Sequence, residues 1–573
     1  MTSRQGPPLP RSLSLHTERL GPLPLINHFL ERLGLDALLQ RFVPTDDPRV
    51  RLPFAHGLGV LLRSVLVERE PIYRQQETVA AFAPQAFGLS ADLSAHVGDD
   101  AIGRALDHLF DADRGSLLTE VVVAATRRFD LSFEELHNDS TSIRFCGQYP
   151  HARGRSIRGQ QAPFITHGYS KDHRADLKQL LFILTTSRDG GVPVQFRCEA
   201  GNESDARTHQ ETWDTLCRAI GRNDFLYVAD SKLCSRDAMD HLDRRGGRFV
   251  CVMPRSRLED REFRAWIQTH DPSWELVRDR RHPRRRHGPR DRWWTVRSAL
   301  PSREGWPVVW VRSSLLALRQ EQVRRELLAR ATQDLEALAA RLARPRSRLR
   351  ARREIMDHVQ KVLTKYHVRG YLTVQLAQAQ EHRFHQAGPG RPGPHTRYLR
   401  KTRRLWNLTY KPAEQAIAYD RRSDGMYPLL TNDAKLTNVQ VLEAHKRQPA
   451  IEKRFEQTKT VFELAPVLLK NEGRIEALFF VYFLALLVQA LIERELRAAM
   501  KKEDVEHLRI YPEERACTHP TAEQVFRLFS QAARHVVRSR GRDLHTFQPE
   551  LTSLQLQVLQ LLHVPATAYT ARP

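Results

Sequence analysis

The sequence predicts a mixed α/β fold, in which helices flank a mixed β-sheet and a large insertion interrupts the sheet domain. The first observation is that residues 1–127 carry apolar residues at helical spacing. The second is that residues 128–256 read in the order strand, strand, strand, helix, strand, helix, strand. The third is that this pattern stops after residue 256 and returns only near residue 411. A hairpin beside strands that are linked through helices is typical of a mixed sheet.

The N-terminal region, residues 1–127, is predicted to be a helical domain. "PLPLINHFLERLGLDALLQRFV" has a 3.6-residue apolar period and Gly34 as a helix stop. "HGLGVLLRSVLVERE" repeats the pattern. This domain is a candidate for binding DNA ends, although packing alone explains the pattern equally well.

Residues 128–256 form the first part of the predicted sheet domain. "LSFEELHND" reads as a short strand that ends on Asp139, and "DFLYVADSKLCS" as a buried strand that ends on Asp230. Between them the turn Arg188-Asp189-Gly190-Gly191 predicts a hairpin. The other predicted elements are strands at 179–186, 192–199 and 248–256, a helix at 206–221 and a helix that starts near residue 236.

Residues 257–410 are predicted to be a basic insertion of strands plus a long helical stretch. Residues 315–366 resemble an exposed helical hairpin, and residues 385–404 read as a mobile Gly/Pro/Arg loop. Residues 411–500 return to the sheet domain, with a hairpin expected around Asp424-Gly425. Residues 501–573 are predicted to be a helical C-terminal region and a candidate for dimerisation.

The charge balance predicts a polyanionic partner. The 573 residues contain 90 Lys+Arg against 67 Asp+Glu, which gives a formal net charge of +23. Such an excess costs self-repulsion unless an anionic partner neutralises it, although an arginine-rich proteome gives the same balance. The six cysteines have no zinc or disulfide spacing, and the N-terminus lacks the apolar core of a signal peptide. These features predict a protein of the cytoplasm.

One segment requires a membrane check. Its apolar run from Ala477 to Ile492 contains Gln489 and is shorter than the roughly 20 residues of a bilayer span. The sequence therefore predicts a buried core helix and no membrane partner.

A third acid on a helix would complete a set with the two strand-terminal aspartates. In "EAHKRQPAIEKRFEQTKTVFELAP" Pro449 starts a helix, Ile451 and Phe455 face the sheet, and Glu452 and Lys459 lie on one side. Three converging carboxylates suit Mg²⁺ or Mn²⁺, and two such ions about 4 Å apart promote phosphodiester chemistry. The alternatives are that Asp139 is a turn residue, Asp230 a helix cap and Glu452 a solvated acid.

Three motifs carry a resemblance to a known family. "HNDST" (137–141), "YVADSKLCS" (227–235) and "HKRQPAIEKRFEQTK" (445–459) occur in order. With them the chain resembles a DDE transposase of the insertion-sequence-four superfamily, most closely its branch sixteen-thirty-four. In that superfamily's Tyr-x2-Arg-x3-Glu-x6-Lys signature, Glu452 and Lys459 take the glutamate and lysine places. His445 and Gln448 stand where the signature has tyrosine and arginine, with Arg447 one residue early.

The resemblance implies an RNase H-like core that cuts DNA at element ends and joins the freed 3′-OH to target DNA. Asp139, Asp230 and Glu452 would be the catalytic metal ligands. The partners would be terminal inverted repeats, target DNA and a second copy in the synaptic complex, with no small-molecule substrate. The protein would be nucleoid-associated in a prokaryotic-type cytoplasm. Two other functions stay open: a non-enzymatic DNA-binding remnant, and an RNase H-like nuclease without strand transfer.

Several basic residues are candidates for DNA contact. Lys459, Lys446 and Arg447 flank the glutamate and would meet phosphates near the scissile bond, or else form a plain basic helix face. The run "RRHPRRRHGPR", with Arg284, Arg285 and Arg286 at its centre, suits backbone or minor-groove contact, or else is a solvated loop.

Overall fold

The computed structural model describes most of the chain, and the chain divides into two compact units. The first unit contains Met1–Cys251 and Glu443–Pro573, and the second contains Val252–Leu442. The second unit begins close to the predicted start of the insertion, residue 257, but extends beyond its predicted end, residue 410. The described residues are 13–145, 147, 149, 152–168, 176–203, 205–281, 288–344, 347, 349–461, 469–539 and 542–570.

The strands and helices are numbered in chain order. The strands are β1 Leu13–Arg19, β2 Glu135–Phe145, β3 Ser156–Ile157, β4 Gln160–Gln161, β5 Lys178–Ser187, β6 Pro193–Ala200, β7 Leu226–Ala229, β8 Arg248–Val252, β9 Glu275–Arg280, β10 Asp291–Arg297, β11 Val308–Ser313, β12 Leu372–Gln386, β13 Tyr398–Pro412, β14 Met426–Thr431, β15 Ala533–Ser539 and β16 Arg542–Phe547. The α-helices are α1 Leu23–Leu33, α2 Leu35–Phe42, α3 Phe54–Val67, α4 Gln75–Ala80, α5 Ala91–Ser94, α6 Asp99–Asp111, α7 Arg114–Phe129, α8 Asp205–Ile220, α9 Arg236–Arg244, α10 Leu258–Trp266, α11 Ser314–Ala343, α12 Arg352–Lys365, α13 Glu414–Arg422, α14 Asn438–Arg447, α15 Pro449–Glu456, α16 Glu472–Lys502, α17 Ala522–Phe529, α18 Ser553–Leu561 and α19 Thr567–Thr570. Two 3₁₀ turns, Ile72–Arg74 and Pro84–Phe87, and one π-helical turn, Gln457–Val461, complete the set.

The sheet of the first unit has the strand order β6-β5-β2-β7-β8. β2, β5 and β6 form an antiparallel meander, whereas β7 and β8 run parallel to β2. The parallel strands are reached through α8 and α9, as crossover connections require. This is the mixed sheet with flanking helices that the sequence predicts, and its strand order is that of an RNase H-like fold.

Strand β2 differs from its prediction, because it does not end on Asp139. It continues through Phe145, which pairs with Lys178 of β5. Thr141 and Ser142, which look like turn residues in the sequence, are buried within the strand. Asp139 therefore lies in the middle of β2, and the prediction of a strand-terminal aspartate is wrong for this position and right for Asp230, which follows β7 directly.

Helix α16 is the central core element of the first unit. Its Phe479 stacks on Phe182 of β5, with ring centroids 5.5 Å apart, and it also packs against α1, α3 and α6. By length and composition this helix could cross a membrane, yet 89% of its apolar window is buried inside the protein. Burial among the sheet and the N-terminal helices accounts for its apolar composition, as the sequence analysis predicts.

The N-terminal region is helical as predicted, but its first described element is a strand. β1 pairs with β15, and β15 with β16, in an antiparallel sheet of three strands. The C-terminal region, described as helical from the sequence, therefore also contributes strands at 533–547.

The second unit contains an antiparallel sheet in the order β14-β11-β10-β9. The predicted helical hairpin is present as α11 and α12, and it buries a small apolar core together with the base of a long β12–β13 ribbon. The ribbon corrects two expectations. Residues 385–386 and 398–404 of the predicted loop belong to strands, and only 387–397 connect them. The hairpin expected around Gly425 is a helix, α13, followed by a turn and β14.

Candidate catalytic site

Asp139 and Asp230 each lie two residues beyond the last pair of the parallel strands β2 and β7. The paired residues of β2 and β7 are Glu135 with Leu226, Leu136 with Tyr227 and His137 with Val228. Each aspartate therefore follows the paired part of the two strands by the same number of residues.

The two aspartates occupy the point at which the paired strands separate. β7 ends at Ala229, whereas β2 continues beside β5. On one side of β2 the neighbour is antiparallel and on the other it is parallel, so the connections diverge here. The crevice beyond the carboxyl end of such strands is the usual ligand site of an open α/β sheet.

Backbone amides orient both aspartates. The Ser140 N–H donates to Oδ1 of Asp139 at 2.7 Å, and the Lys232 N–H donates to Oδ1 of Asp230 at 3.0 Å. Both residues are partly buried, and 36% of the Asp230 side chain is exposed. The carboxyl groups thus keep access to solvent and can meet an incoming ligand.

His209 on α8 contacts Tyr227 and approaches Asp230. Its Nδ1 lies 3.1 Å from the Tyr227 hydroxyl, and its Nε2 lies 3.9 Å from Oδ1 of Asp230. Burial lowers the pKa of His209 to about 4, against the opposing influence of Asp230. His209 is therefore neutral near pH 7 and does not cancel the negative charge of the aspartate.

The helix that carries Glu452 packs over the face of the sheet that carries Asp139. Phe182 of β5 pairs with Thr141 of β2, so both project to the Asp139 face. Phe455 of α15 meets the Phe182 ring edge-on, with centroids 6.4 Å apart. The sequence analysis predicts that Phe455 faces the sheet, and this is confirmed, as it is for the fully buried Ile451.

Glu452 itself lies on the flank of α15 and is exposed. One residue after Ile451 it is turned about 100° from the buried face. Among the residues that the structure describes, no group of three or more His, Cys, Asp or Glu side chains is close enough to hold a metal ion. The fold therefore packs the Glu452 helix over the face of the sheet that carries Asp139, but it does not gather the three carboxylates into a closed ligand set.

A buried ion pair holds the end of α14, directly before the Glu452 helix, against β2. The guanidinium of Arg447 donates to both carboxylate oxygens of Glu135, at 2.6 and 2.7 Å. His137 Nε2 lies 2.9 Å from the same carboxylate. Burial raises the pKa of Glu135, but the hydrogen bonds from His137 and Arg447 outweigh it and bring the pKa to about 2. Glu135 is therefore an anion at every physiological pH, and it holds the end of α14 against the strand that bears Asp139.

A second buried cation fastens the end of the Glu452 helix. Arg454 donates to the carbonyl oxygens of Gly191 at 3.0 Å and Gly190 at 3.1 Å, in the β5–β6 turn. Its Nη1 lies 3.1 Å from a carboxylate oxygen of Glu493 on α16, with the two side chains 4% and 2% exposed. Gln457 links the pair by accepting from Arg454 and donating to Glu493. The helix of Glu452 is thus tied to the sheet at one end and to the core helix at the other.

The candidate DNA-contact residues differ in their interactions with the rest of the protein. Arg447 is committed to Glu135, so its predicted role as a phosphate contact is replaced by a structural one. Lys446 and Lys459 are partly buried and have interactions with the protein. Lys459 lies in the π-helical turn, so the α-helical spacing from Glu452 does not hold over the whole interval. Arg284, Arg285 and Arg286 lie outside the described residues.

Sequence reasoning missed Glu135 and Arg454, although the sequence held a signal for each. Arg454 stands between Ile451 and Phe455 on the apolar face of an amphipathic helix, where an unpaired cation would be costly. Glu135 lies four residues before Asp139 in β2, so the two side chains project to the same face of the sheet. A charged residue on a buried face predicts a buried partner, even when the sequence does not identify it.

No protein-family model matches the chain, and no curated protein matches it. Among solved structures, the piggyBac transposase synaptic complex with hairpin DNA is similar over 82% of this chain and 74% of that chain, with 7% identity and a TM-score of 0.36. The Mos1 transposase paired-end complex with the left transposon end is similar over 36% of this chain and 60% of that chain, with 14% identity and a TM-score of 0.14. The fold described here rests on the strand order of the sheet.

Proposed function

We propose that this protein is a DDE transposase that hydrolyses the phosphodiester at the ends of a DNA element and transfers the 3′-OH to target DNA. The observation that supports this most strongly is that Asp139 and Asp230 each follow the paired part of the neighbouring parallel strands β2 and β7 by two residues. The helix of Glu452, fixed over the face of the sheet that carries Asp139, supplies the third acid of the order Asp, Asp, Glu.

The donor set suits a hard divalent cation. Both aspartates are partly exposed carboxylates on a rigid sheet, and oxygen ligands of this kind are the ones that Mg²⁺ and Mn²⁺ prefer. Asp139 and Asp230 would hold the cation, and Glu452 would approach from the helix above. Bound there, divalent ions would activate the attacking oxygen and stabilise the leaving oxygen of an in-line displacement.

The protein's own contribution is to fix the acids and to orient the DNA. The Glu135–Arg447 and Arg454–Glu493 pairs hold α15 against β2 and α16, and Glu452 on this helix is the proposed third acid. Positioning of this kind is a large share of catalysis in phosphoryl transfer, because the reacting groups must be in line. The positive charge of the chain favours DNA as the polyanion, with Lys459 and Lys446 as the phosphate contacts nearest to Glu452.

Two element ends must be cut and joined in one reaction, so the active assembly is proposed to be a homodimer on DNA. The C-terminal region 501–573 is the proposed contact between the copies, and the nucleoid of a prokaryotic-type cytoplasm is the proposed location. Light scattering of the protein with and without paired end DNA measures the number of copies.

A strand-cleavage assay tests the function. Purified protein is given labelled DNA from both flanks of its gene, including any inverted repeat, together with Mg²⁺ and a supercoiled target. We expect end cleavage and joined products. Nicks without joining would indicate a nuclease that lacks strand transfer, and binding without cleavage would indicate a non-enzymatic DNA-binding protein; either result would overturn the proposal.

A further inference from the structure

The β12–β13 ribbon of the second unit extends far beyond its support. Its strands pair over 15 residues each, from Leu372 with Pro412 at the base to Gln386 with Tyr398 near the tip. Only the base is packed, where Leu372 and Leu408 join the core of α11 and α12. From about Ala377 outward the side chains are mostly exposed. Beyond Arg403, which pairs with Glu381, the five residues His382 to Gln386 extend about 17 Å at about 3.4 Å per residue.

Two side-chain hydrogen bonds from β13 hold the inner part of the ribbon. Trp406 Nε1 donates to the Arg350 carbonyl at 2.8 Å, and Arg403 donates to the Arg344 carbonyl at 2.9 Å. These bonds join β13 to the segment between α11 and α12. An isolated two-stranded hairpin is marginally stable in water, so a ribbon that projects this far is expected to have a partner.

The charge of the exposed ribbon identifies that partner as a polyanion. Between residues 377 and 404 the only acid is Glu381, which pairs with Arg383 at 3.0 Å. Arg400, Lys401 and Arg404 are exposed and make no side-chain hydrogen bond or ion pair to any described residue. The remaining cations of this stretch are Arg391, Arg397 and Arg403.

Apolar side chains accompany these cations near the tip. Phe384 pairs with Arg400, and Tyr398 with Gln386, so the two aromatic rings lie on one face of the ribbon. Phe384 is 63% exposed and Tyr398 53% exposed. Aromatic rings beside unpaired arginines suit the sugars and bases of a nucleic acid better than an acidic protein surface.

We propose that the exposed half of the β12–β13 ribbon is an arm that enters a groove of duplex DNA. The major groove, about 12 Å wide and about 8.5 Å deep, admits a two-stranded β-ribbon, and the roughly 17 Å beyond Arg403 is enough to reach its floor. Phe384, Arg400 and Arg404 share one face of the ribbon, and Lys401 lies on the other. The Phe384 face turns towards the groove, where Arg400 and Arg404 reach phosphates at its edges, and Lys401 contacts a flanking phosphate. This inference rests on the proposed function in naming DNA as the partner, and it assigns the second unit a part in holding that DNA.

The test compares two triple variants of the full-length protein in a binding assay that does not depend on cleavage. The first is Arg400→Gln/Lys401→Gln/Arg404→Gln on the ribbon. The matched control is Arg352→Gln/Arg353→Gln/Lys361→Gln, which removes the same charge from exposed positions of α12 in the same unit. Duplex DNA affinity is measured between 50 and 200 mM salt.

Three lost phosphate contacts lower the slope of log affinity against log salt by about 2.7. We expect this decrease, with weaker binding, for the ribbon variant, and a change of less than about 1 for the control. Equal effects of the two triple variants would overturn the proposal. A photo-crosslinking residue in place of Tyr398, which shares the Phe384 face, is expected to form an adduct with duplex DNA, and its failure to do so while the protein is bound would also overturn it.

The two hypotheses fail in distinguishable ways. If the wild-type protein binds DNA through the ribbon but never cleaves it, the proposed function fails and the arm stands. If the protein cleaves and joins DNA while the ribbon variant binds like the wild type, the arm fails and the proposed function stands.

Discussion

The anchoring of the Glu452 helix by Arg454 gives the most quantitative prediction. Arg454→Met removes a cation that is 4% exposed and leaves Glu493, 2% exposed, as a buried anion. Removing one partner of a buried ion pair costs about 3–5 kcal/mol. Glu493 keeps Arg497 at 3.4 Å and the Ala522 N–H at 3.1 Å, so we expect the lower end, about 3 kcal/mol.

Hydrogen exchange of the α15 amides measures this loss locally, because it reports the free energy of opening of that helix. We expect the opening free energy to fall by about 3 kcal/mol. In the matched control Lys453→Met, on the exposed side of the same helix, it should change by no more than about 0.5 kcal/mol. A decrease in Arg454→Met of less than about 1 kcal/mol would refute the anchoring role.

The double variant Arg454→Met/Glu493→Met separates the ion pair from simple packing. Because no charge then stays buried, it should recover much of the loss, since apolar replacements of buried ion pairs are often close to neutral. If the double variant is as destabilised as the sum of the two single variants, the two side chains are not coupled and the reasoning is wrong.

Further predictions concern the Glu135 anchor and a turn in the second unit. Arg447→Met should abolish end cleavage while DNA binding falls by no more than about threefold, because Arg447 is engaged by Glu135 and so contributes little to phosphate contact; equal losses in both assays would contradict this. The pKa of Glu135 is below its ordinary value of 4.5, so its carboxylate stabilises the fold above that pH and the contribution is lost as the pH falls towards 2. The difference in urea midpoint between wild type and Glu135→Gln should therefore be large at pH 7 and smaller at pH 3, and an equal difference at both would refute it. Gly425 has φ +78° and a Cβ there would lie 2.4 Å from the Ser313 carbonyl oxygen, so Gly425→Ala should cost more than about 2 kcal/mol in urea unfolding. Gly305→Ala, with φ +88° and open space, should cost only about 1 kcal/mol, and a similar cost for both would exclude the clash.

The sequence predicts elements well where the signal is local. The strand before Asp230 is a continuous apolar run that a polar turn ends, and Gly221 with φ +75° ends α8 as expected. The predicted strand through Asp139 is too short because Ser140 and Thr141 resemble turn residues. In the structure their pairing with β5 keeps them in the sheet. The ribbon strand at 398–412 was missed in part for the same reason, since its pairing with 372–386 is not visible in either segment alone.

The site was predictable to a similar extent. The parallel pairing of the two strands that lead to Asp139 and Asp230 is expected from their connection through a helix. The convergence of the two carboxyl groups stays a prediction. The anchors of Glu452 were not predictable, because Arg447 and Glu135 are 312 residues apart and only the folded chain brings them together. The exposed position of Glu452 also depends on how α15 is rotated about its axis on the sheet. The sequence of the helix alone does not determine that rotation.

The most direct test of the central claim measures the rate of end cleavage in Mg²⁺ for Asp139→Asn, Asp230→Asn and Glu452→Gln. The matched control is Asp237→Asn, an exposed acid on α9. If the three acids act as one site, each of the three variants loses more than about a hundredfold in rate while DNA binding and the control's rate stay near those of the wild type. Cleavage within about tenfold of the wild-type rate in any of the three would contradict the claim that these carboxylates together perform the reaction.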